Sequence, residues 1–257
     1  TIFNHFDFNS EKLIVIDSKN NWTWSDLFNR SKYYSDIILN NCSQKKVIPI
    51  LVSRSGETIA AILACILLKK GFSPISPNQP KDRIKRQLIK LRSSFLLSTF
   101  ETELTFNNIK VLNVKNSQLP PKMLYEKTEF YDQDILYILF TSGSTGEPKG
   151  ITHASAGYLV YTKYTCKHQF GMSKNSIILT ASDAGWLNGH TYALFGPLSF
   201  GATAVPWLKV ELKPSKPTTW SATETDPIEK DAFRAIVWIC STSFSNTIEK
   251  DVFRGVV

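Results

Sequence analysis

The sequence is poor in the features that staple, metallate or anchor a chain. Its four cysteines, Cys42, Cys65, Cys166 and Cys240, lie far apart with no C-x-x-C pair, and no histidine stands at metal-ligand spacing. That excludes a zinc site and a dense disulfide framework, and makes a reducing, cytoplasmic compartment the expectation. No stretch reaches the roughly 18–20 apolar residues of a membrane span, and the first residues lack a signal-peptide core. The chain begins at Thr1 and not at methionine, so a targeting segment ahead of it stays open. A net charge of +8, from 30 Lys+Arg against 22 Asp+Glu, is spread without a long basic run. It suits an anionic small molecule and gives no footing for nucleic acid. With 42% hydrophobic and 20% charged residues, the 257-residue chain has ordinary globular composition and should fold.

What the sequence does hold is concentrated in residues 135–150, ILYILFTSGSTGEPKG. Six consecutive apolar or aromatic residues, Ile135 to Phe140, predict a strand buried on both faces. The chemistry then changes. Gly143, Gly146 and Gly150 permit close approach to backbone, Thr141, Ser142, Ser144 and Thr145 add hydroxyl donors, and Lys149 adds a mobile positive charge behind the stiff Pro148. Polyphosphate requires many donors, little bulk and a cation, and residues 141–150 supply all three. The loop is not a Walker A motif, because Glu147 and Pro148 separate Gly146 from Lys149 and Gly150 follows the lysine.

The run TSGSTGEPKG at 141–150 resembles the nucleotide-phosphate loop of the adenylate-forming enzymes: acyl-CoA synthetases, adenylation domains of peptide synthetases, and beetle luciferases. The resemblance implies ATP-dependent activation of a carboxylate as an acyl-adenylate, with pyrophosphate leaving, then transfer to a thiol of CoA or a carrier protein. ATP and Mg2+ are the implied cofactors. Thr141, Ser142, Gly143, Ser144, Thr145, Gly146 and Lys149 are the implied phosphate contacts.

Along the chain, residues 13–16 predict a strand and residues 17–21 a polar turn. Thr23 and Asp26 form a capping box that opens a helix with Leu27, Tyr34, Ile37 and Ile38 inward. Residues 47–52 predict a strand whose Pro49 argues against a central position. Residues 58–68 are apolar almost all round and predict a buried helix. Prolines 74, 77 and 80 punctuate a connection over 72–80. Residues 81–91 then form an amphipathic helix with Ile84, Leu88 and Leu91 on one stripe and a solvated basic face, before a strand at 95–97. Alternating strands and helices indicate an α/β protein with a layered, mainly parallel sheet flanked by helices. The resemblance places it as an incomplete N-terminal subdomain of the adenylate-forming fold. It extends to RSGE at 54–57 and GFSPISPNQP at 71–80, which are similar to the matching turn and connection of peptide-synthetase and longer-chain acyl-CoA synthetase relatives.

Beyond the loop, a helix is expected from Ala156 toward Phe170 with Gly171 as its stop, and His153 beside it reads as a structural histidine. A strand at 177–179 leads into SDAGWLNGHTY at 182–192, a loop placed where α/β sheets gather ligand contacts. From residue type alone, Trp186 divides evenly between core and function, and His190 reads as structural. This segment is similar to the acyl-pocket segment of short- and medium-chain acyl-CoA synthetases, which implies an acyl pocket at Trp186, Leu187 and Asn188. Acetate-specific members usually have threonine where Asn188 stands, a departure that points away from acetate itself.

The likeness fades near residue 211, giving an expected division into 1–210, the N-terminal part of an AMP-binding domain, and 211–257, a divergent tail. The tail carries a near-repeat, IEKDAFRAIV at 228–237 and IEKDVFRGVV at 248–257. The family's adenine motif, its acidic magnesium ligand, its ribose aspartate and its catalytic lysine have no match here, so no catalytic residue and no metal ligand is assigned. The expectation is an acid–thiol ligase by resemblance, with the isolated chain inactive. The alternatives are a non-catalytic nucleotide- or partner-binding protein and a peptide-synthetase fragment.

Overall fold

The computed structural model describes residues 10–113, 134–142, 147–180, 182–206 and 236–238. The elements are β1 Leu13–Ile16, β2 Asn21–Thr23, α1 Trp24–Cys42, β3 Val47–Leu51, α2 Gly56–Leu67, β4 Gly71–Ile75, α3 Lys81–Lys90, β5 Phe95–Ser98, β6 Lys110–Asn113, β7 Ile135–Ser142, β8 Pro148–Ala154, α4 Ser155–His168, β9 Ile177–Thr180, α5 Leu187–His190, a π-helical turn Thr191–Phe195, α6 Gly196–Phe200, β10 Thr203–Val205 and β11 Ile236–Trp238. Two sheets form. One runs β6-β5-β3-β4-β7-β8 and the other β11-β9-β10-β1-β2; only the β1/β2 and β7/β8 pairs are antiparallel. The α/β reading with mainly parallel pairing holds, but in two sheets. The expected boundary at 210 and most of the near-repeat lie outside the described residues.

Strand alternation explains the layers. Ile48, Ile50, Phe72 and Leu97 turn to one face of the larger sheet, where they join α1 and α2 in the main core. Leu51, Ile75 and Leu96 turn to the other face and meet Ile84 and Leu88 of α3. Helix α2 is buried almost throughout, as its composition predicts. The Thr23 capping box forms: Asp26 N donates to Thr23 Oγ1 at 3.1 Å and Thr23 N to Asp26 Oδ2 at 2.9 Å.

Two prolines overturn the sequence reading. Pro49 lies in β3, between β4 and β5, and Pro74 lies in β4, a fully buried strand where a connection was expected. The register explains the tolerance. Thr99 N bonds Leu51 O, so Pro49, two residues earlier, also faces β5, and the pair Ile50↔Leu97 makes Phe95 O the acceptor its missing N–H leaves; Ser93 Oγ donates there at 2.8 Å. Pro74 faces β7, and Phe72↔Tyr137 makes Ile138 O its absent partner; Ser73 Oγ donates there at 2.8 Å. Each orphaned carbonyl is satisfied by a serine hydroxyl next to the ladder.

Candidate functional site

The stretch read as a strand and loop is a β-hairpin. β7 and β8 pair with Phe140↔Gly150, Thr141↔Lys149 and Ser142↔Pro148 in register. Pro148 therefore opens a strand instead of stiffening a loop exit, as the first residue of an edge strand can. A Cβ on Gly150 would sit 3.1 Å from Ile138 and 3.2 Å from Phe140, so glycine lets the two strands close. β7 is not buried on both faces throughout: Leu136 and Tyr137 are buried, whereas Ile135 is exposed at its start, and β7 lies one strand from the sheet edge formed by β8 among the described residues.

Thr141 is half-buried and Lys149, directly across from it, is exposed. Of the other residues read as phosphate contacts, Ser142 is placed through its pairing with Pro148, and Gly143, Ser144, Thr145 and Gly146 lie outside the described residues. Among the described residues Lys149 has no acidic partner; the one carboxylate ion pair near the hairpin joins Lys90 of α3 to Glu147 at 3.9 Å. A hydroxyl and a cation without an acidic partner among the described residues, on facing strands, suit an anion. No three His, Cys, Asp or Glu side chains gather to hold a metal ion among the described residues.

Residues 182–200 differ from the expected loop. After the turn at Asp183–Trp186 the chain is helical from Leu187 through Phe200, with a π-helical turn in the middle. Gly189, Gly196 and Pro197 masked this in the sequence, since they are weak helix formers. The glycines are needed for space: a Cβ on Gly189 would meet Asp183 O at 2.0 Å, and one on Gly196 would meet Cys166 Sγ at 2.6 Å. Asp183 fixes the turn, accepting from Gly185 N at 2.7 Å and from Ser76 Oγ, at the end of β4, at 3.2 Å. Trp186 is 56% exposed and so is not core, Leu187 is exposed, and Asn188 is half-buried.

The two regions meet at Tyr137, which the sequence presented only as one more residue of an apolar strand. Its ring stacks on His153 of β8 at 4.5 Å and meets His190 edge-on at 4.7 Å. The available signal was a single phenol in an otherwise apolar run. Tyr158 of α4 packs against both histidines and bonds Thr191 at 2.6 Å. Because Thr191 Oγ1 spends its proton on Leu187 O at 2.6 Å, Tyr158 is the donor. Burial holds both imidazoles toward the neutral form, with His190 pulled down to about 3. The structural reading of His153 and His190 accords with this packing.

The model of the family described as "AMP-binding enzyme" matches residues 4–228. The chain belongs to that family. It is 44% identical over 88 residues to acetyl-coenzyme A synthetase 1 of Debaryomyces hansenii, covering 34% of this chain and 13% of that protein. With an acetyl-coenzyme A synthetase of Xylella fastidiosa it is 46% identical over 88 residues, 34% of this chain and 14% of the relative. These matches span a small part of the relatives' length. Among solved structures, the AMPPNP-bound nonribosomal peptide synthetase FmoA3 aligns with a TM-score of 0.68 at 18% identity, over 79% of this chain and 22% of that one. The N-terminal subdomain of Klebsiella oxytoca NpsA, in complex with 3-hydroxybenzoyl-AMSN, aligns with a TM-score of 0.65 at 21% identity, over 79% and 51%. At such identities the structural likeness establishes the fold: this AMP-binding chain has the architecture of an incomplete adenylate-forming N-terminal subdomain.

Proposed function

We propose that the protein to which these residues belong activates a carboxylic acid, short- or medium-chain, by attack of its carboxylate on the α-phosphate of ATP, expelling pyrophosphate and forming an acyl-adenylate, whose acyl group then passes to a thiol such as that of CoA with release of AMP. The observation that carries the reading is the hairpin register, which sets Thr141, at the start of the phosphate motif, opposite Lys149, near its end, which has no acidic partner among the described residues. ATP supplies the leaving group; Lys149 and the hydroxyls at Thr141, Ser142, Ser144 and Thr145 hold its phosphates. Trp186, Leu187 and Asn188, exposed or half-buried at the start of a helical run whose following residues are buried, are proposed to border the acyl group. The sequence relatives support CoA over a carrier protein as acceptor, since 44–46% identity to acetyl-CoA synthetases outweighs an 18–21% likeness in fold to peptide synthetases. A cytoplasmic location accords with free thiols at Cys42, Cys65 and Cys166. We assign 1–210 to the AMP-binding domain and 211–257 to a divergent tail.

The test is titration of the 15N-labelled chain with tripolyphosphate and with ATP. Amide shifts clustered on residues 141–150, lost in Lys149→Ala, are expected; shifts elsewhere only, or none, would overturn the assignment. The isolated chain is expected to show no carboxylate-dependent exchange of pyrophosphate into ATP, because the adenine, ribose, metal and lysine motifs implied by the family have no match in it.

A further inference from the structure

The proposed reaction joins an oxygen of the acid to a phosphorus of ATP, and the two reactants fall to separate parts of the chain, residues 186–188 and the β7–β8 hairpin. Their spacing matters, since misplacing one reactant by about 1 Å can cost about a hundredfold in rate. The contacts of Asp183 and Ser76 hold one part against the other.

All three oxygens of Asp183 are engaged. Oδ1 accepts from Gly185 N at 2.7 Å and the carbonyl accepts from Trp186 N at 2.9 Å, which closes the turn that presents Trp186. Oδ2 accepts from Ser76 Oγ at 3.2 Å, and the direction is set because a carboxylate has no proton to donate. Ser76 is 5% exposed and lies one residue past the end of β4. The turn rests directly on it: a Cβ on Gly185 would stand 2.9 Å from Ser76 Cβ and 3.0 Å from Ser76 N.

Ser76 in turn follows the strand beside the hairpin. β4 pairs in parallel with β7 at Phe72↔Tyr137, and Ser73 Oγ donates to Ile138 O at 2.8 Å in the same step. Continuing that register along both strands brings Ser76 level with Thr141, where the phosphate motif opens. The turn before Trp186 is therefore tied to the larger sheet at the height of the phosphate motif, through one side chain on each partner.

We propose that Asp183 and Ser76 are positioning residues for the reaction, holding Trp186, Leu187 and Asn188, and with them the carboxylate of the acid, in place against the phosphates bound at the hairpin. This rests on the acyl reading of residues 186–188.

The experiment has two readouts. In the labelled 257-residue chain, residual dipolar couplings report the orientation of the Trp186, Leu187 and Asn188 amides relative to β3 and β4. Asp183→Ala is expected to reorient these amides while the couplings of β3 and β4 stay in place. Asp183→Asn, which keeps an oxygen for Gly185 N and turns Nδ2 to Ser76 Oγ, is expected to restore them. Should Asp183→Ala unfold the chain, Ser76→Ala carries the same test with the hydrogen bonds inside the turn left intact. In a full-length enzyme carrying these residues, Asp183→Ala is expected to lower kcat for carboxylate-dependent pyrophosphate exchange about a hundredfold, with the KM for ATP unmoved and most of the rate recovered in Asp183→Asn. Unmoved couplings in the folded variants overturn the proposal, and so do reoriented amides with an unchanged kcat. Trp186→Ala tells the two failures apart. An acid preference that this change leaves as it was overturns the acyl reading and the proposal with it, whereas a preference that shifts while Asp183→Ala is inert overturns the proposal alone.

Discussion

The β7–β8 hairpin and the segment 182–195 are both read as sites, yet they carry their polar groups in different ways. In the hairpin the cation sits on an edge strand, exposed, opposite a half-buried threonine. In the segment, exposed Trp186 and Leu187 are followed within two or three residues by Gly189 and His190, which are buried. Ligand contact and folding are separable in the first and entangled in the second. Loops on a rigid frame usually permit such separation; a helix with one side in the core does not.

The largest effect should come where the two are most entangled. Gly189→Ala drives a Cβ to 2.0 Å from Asp183 O, a backbone atom that cannot swing away. A loss of about 3 kcal/mol is expected, the upper range for overpacking, read as a lowered urea midpoint at unchanged slope. A loss within about 0.5 kcal/mol, the scale of an inert surface change, would break the comparison. Lys149→Ala should do the reverse. Phosphate affinity is expected to fall by about 2 kcal/mol, as for a lost charge-assisted bond, with the urea midpoint unmoved. Weakened folding and intact phosphate binding would remove Lys149 from the site.

Stability against pH sharpens the same contrast. His190 has a folded pKa near 3, below its ordinary value of about 6.5, and burial lowers His153 as well. The unfolded chain therefore binds more protons between those values, and the stability that a neutral His190 confers is lost as pH falls through that window. From pH 7 to pH 5 the loss from His190 alone should be about 2 kcal/mol. Repeating the series in His153→Gln isolates its share, and a flat profile over that range would mean that burial does not hold the ring neutral.

How much of this could be read in advance depended on whether the cause was local. The Thr23 capping box, the all-apolar α2 and the stop at Gly171, with its φ of +58°, each rest on chemistry within a few residues and were legible. Pro49 and Pro74 were misread because their compensation comes from Ser93 and from the register with β5 and β7, which no local pattern encodes. β8 was missed because Pro148 and Gly150 both look like breakers, although an edge strand accepts both. The helical run after Trp186 was hidden for a related reason: tertiary packing overrode the low helix propensity of Gly189, Gly196 and Pro197. At the site, the motif at 141–150 was legible as chemistry, while the convergence of His153 and His190 on Tyr137 was not, since it depends on the β7–β8 register and on the packing of α5 against the sheet.

The smallest effect concerns Asn188, which lies at the junction between the exposed and buried parts of the entangled region. It is half-buried, one residue past exposed Leu187 and one before buried Gly189. If its amide faces the acyl group, it either bonds a polar group of the acid or lies against carbon at a cost of about 1–3 kcal/mol. The first case favours a substituted or hydroxylated acid over acetate. In a full-length enzyme carrying this segment, Asn188→Thr is then expected to move the ratio of kcat/KM toward acetate about tenfold, which corresponds to roughly 1.4 kcal/mol of differential binding. Stability should change little, because position 188 is half-buried and threonine is close to asparagine in size. Preference measured across short, medium and hydroxylated acids separates the outcomes. A shifted preference at constant stability would show that even this segment can be divided, its outer edge serving the substrate and its inner turn the core. An unchanged preference would make Asn188 scaffold and leave the hairpin as the one region here where binding and folding come apart.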